Sequence, residues 1–223
     1  MPLNITFKNH SEDKYPFFNK AIEEVDLLFK NDGLLINKNI EVELTDKKES
    51  HYDIVENRIY IQQKHNIKSM SFQQDIEYTF AHELSHVVHD ILIDQHKSIT
   101  LNGSTPFSSF FDKVFPNKLS PEILGVKIMY NTVIEGFADS MAAFLLLKHQ
   151  ENGHDTINKF LKNRPDQEVS KDKVEGDLDY SSYITVPSVT RFLKNFNSSE
   201  HVGIESISKN IIENCLETLQ YKS

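Results

Sequence analysis

The chain of 223 residues predicts an α+β fold, with a small mixed sheet, a backing helix and a motif-bearing helix placed ahead of a mainly helical C-terminal part. Three observations predict it. Phe17 to Lys30 has helical periodicity and runs into Asn31-Asp32-Gly33, a turn and cap signal, which makes it the backing helix. Ile40-Glu41-Val42-Glu43-Leu44-Thr45 and Arg58-Ile59-Tyr60-Ile61-Gln62 alternate as strands on either side of a polar turn region. After them the apolar spacing turns helical: Ser71 with Gln74 forms a capping-box start, and Phe72, Ile76, Phe80, Leu84, Val87, Val88 and Ile91 form a stripe.

The remaining elements follow in order. Gln95 to Ser120 reads as an insertion with a short helix, carrying Phe107, Phe110, Phe111 and Phe115 either as a satellite core or as the wall of a substrate pocket. Ser120-Pro121-Glu122 supplies an N-cap and a first-turn proline for a second apolar helix that runs on through Met141, Phe144 and Leu147. Asn163 to Asp179 is charged and rich in turn formers, so an exposed loop or a subdomain boundary is expected there. Pro187 to Asn197 and Ile204 to Tyr221 read as two closing helices. The domain expectation is an N-terminal part over 1–94 and a helical part over 95–223, the two forming either a cleft or one compact domain.

His82-Glu83-Leu84-Ser85-His86 lies within the first stripe and is an HExxH pattern. Random order of this composition would produce that pattern roughly 0.04 times, so its place inside a capped apolar helix carries information. Residues four apart lie one above the other on a helix, which lets both imidazoles grip one ion. Glu83 is turned by about 100° from His82, off the metal but within reach of a water that needs a base. A catalytic zinc site takes three protein ligands and leaves a fourth position open. The HExxHxxGxxH extension fails, because His89 stands at the glycine position and Leu92 at the third histidine. His89 reads as a helix-flank residue or a support to the ligands.

The third ligand is expected in Asn131-Thr132-Val133-Ile134-Glu135-Gly136-Phe137-Ala138-Asp139. A carboxylate among such apolar neighbours is costly unless paired or bound to metal, and Asp139 shares the face of Glu135 one turn on. One of the two can ligate while the other accepts the free ring N–H of a ligand histidine and fixes its tautomer.

HELSH followed by an E-x-x-x-D helix resembles the gluzincin group of zincin metallopeptidases, and Glu-Gly-Phe-Ala-Asp is also similar to the motif of compact bacterial zinc-peptidase families. The resemblance covers two short motifs, and the separation from His86 to Glu135 is longer than in the thermolysin-like gluzincins. It implies a zincin-like fold, a zinc ion held by His82, His86 and Glu135, Glu83 as general base, and Asp139 supporting a ligand histidine. It also implies an edge strand beside the metal helix that pairs with extended substrate, for which the second strand, residues 58–62, is the candidate. The same site needs an oxyanion donor from across the cleft, and Tyr180, Tyr183, His201 and His154 are candidates.

Composition narrows the partners. A formal charge of −9 argues against nucleic acid or an anionic membrane and leaves a peptide or protein substrate. Cys215 is the single cysteine, so internal disulfides and zinc-thiolate clusters are excluded, and it reads as a small core residue. Met1 to Lys8 lacks the charged and apolar regions of a secretory signal, and no stretch approaches a membrane span. A cytoplasmic location is the simplest expectation; the Asn-, Lys-, Ile- and Ser-rich composition fits a bacterial protein and leaves export without a cleaved signal open. The functional expectation is a zinc metallopeptidase; its alternatives are a regulatory protease specific for one partner protein and a non-catalytic zinc-binding protein on the same scaffold.

Overall fold

The computed structural model describes residues 3–8, 15–64, 67–100, 123–163, 181–196 and 203–220. Its elements are β1 (Asn4–Lys8), α1 (Pro16–Asn31), β2 (Asn39–Thr45), β3 (His51–Asp53), β4 (Arg58–Gln62), α2 (Phe72–Thr100), α3 (Ile123–His149), α4 (Gly153–Asn163), α5 (Ser181–Asn195) and α6 (Ile204–Gln220). The fold is mixed α+β, with a four-stranded mixed sheet and, among the described residues, six helices.

The sheet order is β1-β2-β4-β3. β1 and β2 pair in parallel, as do β2 and β4, while β3 runs antiparallel to β4 with Tyr52 opposite Ile59. Ile40, Val42 and Leu44 are buried along β2, and Ile59, Tyr60 and Ile61 along β4. The two alternating strands read from the sequence are therefore parallel neighbours and do not form a hairpin. The hairpin partner of β4 is β3, whose turn is closed by Asp53 Oδ1 accepting from the N–H groups of Val55 and Glu56 at 2.9 Å each. This corrects the edge-strand expectation: β4 is covered on both sides, and among the described residues the edge on its side of the sheet belongs to β3.

α1 opens on Pro16 and buries Phe17, Phe18, Ala21, Val25, Leu28 and Phe29, the spacing of one helical face. The ring of Phe18 stacks on Phe80 of α2 at 3.9 Å between centroids. Glu24, buried on the same face, is paired by Lys148 and His149 at the end of α3, at 2.5 and 3.0 Å. α1 stops at Gly33, whose φ of +68° suits a residue without a side chain. Asp32 beside it has a second use: its Oδ2 accepts from the Glu205 N–H at 2.7 Å and so caps α6 from across the molecule.

α2 begins with the capping box read from the sequence, Ser71 Oγ accepting from the Gln74 N–H at 3.2 Å and Gln74 Oε1 from the Ser71 N–H at 2.9 Å. Ile76, Phe80, Leu84, Val87, Val88 and Ile91 are buried as the stripe predicts, whereas Phe72, in the first turn, is 44% exposed. The helix runs to Thr100, into the stretch expected to be an insertion. The aromatic cluster from Phe107 to Phe115 and the Ser120-Pro121-Glu122 cap lie outside the described residues, as does most of the expected loop after Asn163.

Two helices differ from expectation. α4 lies where a composition change alone was read; Thr156, Ile157 and Phe160 form its short buried stripe behind a start, Asn152-Gly153, that looks like a turn. α5 starts at Ser181 and carries Pro187 in its interior, although proline there removes a backbone hydrogen bond. Burial of Thr185, Ser188, Val189 and Phe192 against α3 and α6 offsets that loss. One continuous core joins residues from the sheet and from all six helices. Among the described residues no helix is long and apolar enough to cross a membrane.

The Asp32 cap generates a stability prediction. A side chain at Gly203 would place its Cβ 1.8 Å from Asp32 Oδ1, so Gly203→Ala must expel the capping carboxylate. Gly203→Ala and Asp32→Ala should each lower stability by about 1–2 kcal/mol in denaturant titrations. The double variant should lose little more than either alone, since both remove the same contact.

Candidate metal centre

Two long helices packed against each other build the site. α2 contributes His82, Glu83 and His86, and α3 contributes Glu135 and Asp139 one turn apart. The donor atoms converge: His82 Nε2 lies 3.1 Å from His86 Nε2 and 3.3 Å from Glu135 Oε2, and His86 Nε2 lies 3.7 Å from Glu135 Oε1. A tetrahedral ion with bonds of about 2.0–2.2 Å keeps its ligand atoms about 3.3–3.6 Å apart, so these spacings fit one ion. Two ring nitrogens at 3.1 Å with a carboxylate beside both are also a donor set that a cation satisfies better than shared protons. His82, His86 and Glu135 can thus hold a metal ion.

The tautomer of His82 is set from behind. Its Nδ1 donates to Asp139 Oδ1 at 2.9 Å, which leaves the Nε2 lone pair directed at the ion position. The same Asp139 oxygen accepts the Tyr78 hydroxyl at 2.6 Å. Asp139 has a fully buried side chain, while Glu135, expected to be deeply buried, is 32% exposed and opens toward the ligand face. The glycine between them has a packing reason. A Cβ on Gly136 would meet Cys215 Sγ of α6 at 2.7 Å, so its absence lets the last helix rest directly behind Glu135. Cys215 itself is a buried core residue whose thiol burial pushes up to about 12.

The electrostatics divide the groups. At His82, burial opposes a charged ring, but hydrogen bonds to Asp139 and Glu135 outweigh it and raise the pKa well above the ordinary 6.5. Burial and the neighbouring His82 push His86 down to about 4, and burial does the same for His89. At Glu135 the cost of burial is outweighed by the hydrogen bond and charge of His82, so its pKa is lowered. Glu83 goes the other way: burial raises it to about 7 despite the charge of His82. A carboxylate so placed is a base poised near neutrality.

A cleft of about 330 Å³ lies alongside His82 and Glu83, lined by Glu49, Ser50, Gln62, Lys64, Tyr78 and Thr79. A larger hollow of about 560 Å³, lined among others by Lys20, Gln73, Glu77, His149 and Asp155, contains none of the site residues. His89 is buried with its ring 5.5 Å from that of Phe137, away from the three converging donors. Tyr180 and His201 lie outside the described residues, as does the side chain of Tyr183 in α5. His154 is exposed at the start of α4 and does not line the cleft beside Glu83. Sequence reasoning missed Tyr78. It stands four residues before His82, so helical spacing alone places it on the ligand face.

Two predictions follow from this geometry. His82 favours its proton in the folded chain, so it contributes stability that is full below an unfolded imidazole pKa of about 6.5 and is lost as pH rises through the raised folded value. A metal needs that ring neutral. Metal affinity, measured by competition with a chromophoric chelator, should therefore climb as pH rises from about 6.5 through the raised folded value, with protons released on binding in calorimetry with buffers of different ionisation enthalpy. Gly136→Ala should cost about 1–3 kcal/mol through overpacking and weaken metal binding. Adding Cys215→Ala should restore most of both losses, as read by thermal melts and the same chelator.

No protein-family model, curated protein or solved structure matches this chain.

Proposed function

We propose that this protein is a zinc-dependent metallopeptidase of gluzincin type that hydrolyses peptide bonds in a peptide or protein substrate. The observation that carries the proposal is the convergence of His82, His86 and Glu135 within 4.8 Å of one another, with a buried Glu83 next to His82. Two imidazoles and one carboxylate suit zinc, and three ligands leave the open position that catalysis needs. A purely structural site would have no use for a fourth, basic carboxylate one residue along the helix from a ligand. An ion held there supplies acidification of a water and polarisation of the scissile carbonyl.

The chain's own groups do the rest. His82, His86 and Glu135 hold the ion, and Asp139 with Tyr78 keeps His82 in the tautomer that can do so. Glu83 accepts the proton of the attacking water and returns it to the departing amine. Burial holds its pKa at about 7 without an ion, and the charge of an ion beside it would favour the ionised form that accepts the proton. β3 is the edge of the sheet next to α2, and an extended substrate laid along it would bring its backbone past Glu83.

The test is cleavage of a mixed peptide library by zinc-loaded protein, read by mass spectrometry beside two variants. Glu83→Gln should retain zinc and lose turnover by about 10²–10⁴-fold. Glu135→Ala should lose zinc affinity and activity together. A Glu83→Gln protein as active as the wild type would sink the scheme, and zinc binding with no cuts by either protein against the library or any folded substrate would favour a non-catalytic zinc protein.

A further inference from the structure

The cleft beside His82 and Glu83 differs from an ordinary ligand pocket in what it offers. Such pockets are lined mainly by apolar and aromatic side chains, with a few polar groups that set orientation. This one, of about 330 Å³, has no Val, Leu, Ile, Met or Phe in its lining among the described residues. Two of its hydroxyls are turned inward: Tyr78 donates to Asp139 at 2.6 Å, and Thr79 to the backbone carbonyl of Asp75 at 2.8 Å. The groups left to meet a ligand come from the ends of β3 and β4. Gln62 closes β4, and its backbone N–H donates to the Oγ of Ser50, the residue before β3, at 2.9 Å. That bond occupies the Ser50 oxygen and leaves the hydroxyl proton to donate. The half-buried side chain of Gln62 brings a carboxamide that both donates and accepts. Glu49 and Lys64, both exposed, add one charge of each sign.

A lining of this kind discriminates in one direction. An apolar side chain in the cleft would take water from the Gln62 carboxamide and the Ser50 hydroxyl without returning a hydrogen bond, and a polar group left unpaired in that way costs more than a made bond gains. A side chain that can both donate and accept removes that cost. A charged one meets a like charge whichever its sign: a carboxylate would come beside Glu49 and Glu83, an ammonium beside Lys64. We propose that the cleft selects substrates with an uncharged hydrogen-bonding side chain, Gln, Asn, Ser or Thr, next to the scissile bond, and that Gln62 is the residue that reads it. The proposal rests on the peptidase assignment made above and gives that site a substrate class. The placement of Gln62 suits a reader, because its strand is paired on both sides and the following N–H, that of Gln63, donates to the Thr45 carbonyl of β2 at 3.0 Å.

Peptides identical but for Gln or Leu at one of the two positions flanking a cut test it with the full-length, zinc-loaded protein. At one of these positions kcat/KM for Gln should exceed that for Leu by about 10- to 100-fold. Gln62→Leu should erase or reverse that ratio at the same position, while zinc affinity, read with a chromophoric chelator, keeps its wild-type value. Lys64→Glu should leave Gln preferred over Leu and raise cleavage of the corresponding Lys peptide by about fivefold at low salt, a gain that fades at high salt. Equal rates for Gln and Leu at both positions in the wild type, or a Gln preference undiminished in Gln62→Leu, would overturn the proposal. If the wild type cuts nothing, the peptidase assignment fails, and the cleft is then read by fluorescence anisotropy with labelled Gln- and Leu-containing peptide pools, which stay intact. Tighter binding of the Gln pool that Gln62→Leu abolishes sustains the preference, and equal binding of the two pools overturns it.

Discussion

The site depends on one buried hydrogen bond, from His82 Nδ1 on α2 to Asp139 on α3. A carboxylate with no solvent exposure is costly by several kcal/mol unless its charge is met by donors, and here a single oxygen receives both His82 and Tyr78. Those donors lie four residues apart on one helix, so the bond is satisfied only when α2 and α3 meet in one register and one rotation. That same register brings Glu135, one turn before Asp139, to the Nε2 atoms of His82 and His86. The interaction that stabilises the helix pair is therefore also the one that assembles the donor set.

Such a pairing needs close approach, and α3 is built for it. From Val133 to Leu146 its described residues are buried apart from Ile134 and Glu135, which makes it the central helix, in contact with α1, α2, α4, α5 and α6. Gly136, Ala138, Ser140, Ala142 and Ala143 are small and let neighbours in on several sides. The exception, Glu135, faces the ligands and has partial access to solvent. Between Val133 and Leu146 the polar side chain left partly exposed is thus the one that faces His82 and His86. The rest of the molecule holds this pair in place: the sheet and α1 cover one side through Phe18 and Phe80, and α6, capped by Asp32 at the end of α1, closes the other.

What was legible in the sequence was local. The capping box at Ser71, the buried stripe of α2 and the facing of His82, His86 and Glu83 all follow from a period of 3.6 residues. The E-x-x-x-D spacing on α3 is legible in the same way, though which carboxylate meets the ligand atoms and which meets a ring N–H is decided by tertiary packing. The misses share a cause. β3 has three residues, too few for a pattern, and it decides both that β2 and β4 are parallel neighbours and where the free edge lies. α4 begins on residues that favour turns, and α5 runs through a proline because long-range burial overrides a local preference. Tyr52 is the extreme case, since the bond from its hydroxyl to Asp90 joins parts of the chain that no local period connects.

Three carboxylates around His82 and His86 end in three states, and their environments explain why the same chemical group behaves differently. Asp139 is fully buried and accepts from His82 and Tyr78, which suits a fixed acceptor. Glu135 has a histidine on each oxygen and partial access to solvent, so it is held ionised, as a ligand must be. Glu83 has burial as its largest influence, which leaves its proton loosely poised near neutrality. An ion held by the imidazoles and Glu135 would deepen the ionised state of Glu135, and its positive charge would also favour the ionised form of Glu83. The overall charge of −9 predicts none of this. The order arises from which carboxylate is dry, which is paired and which is aimed, and each of these is set by the register of α2 against α3 and by the short strand that lies over them.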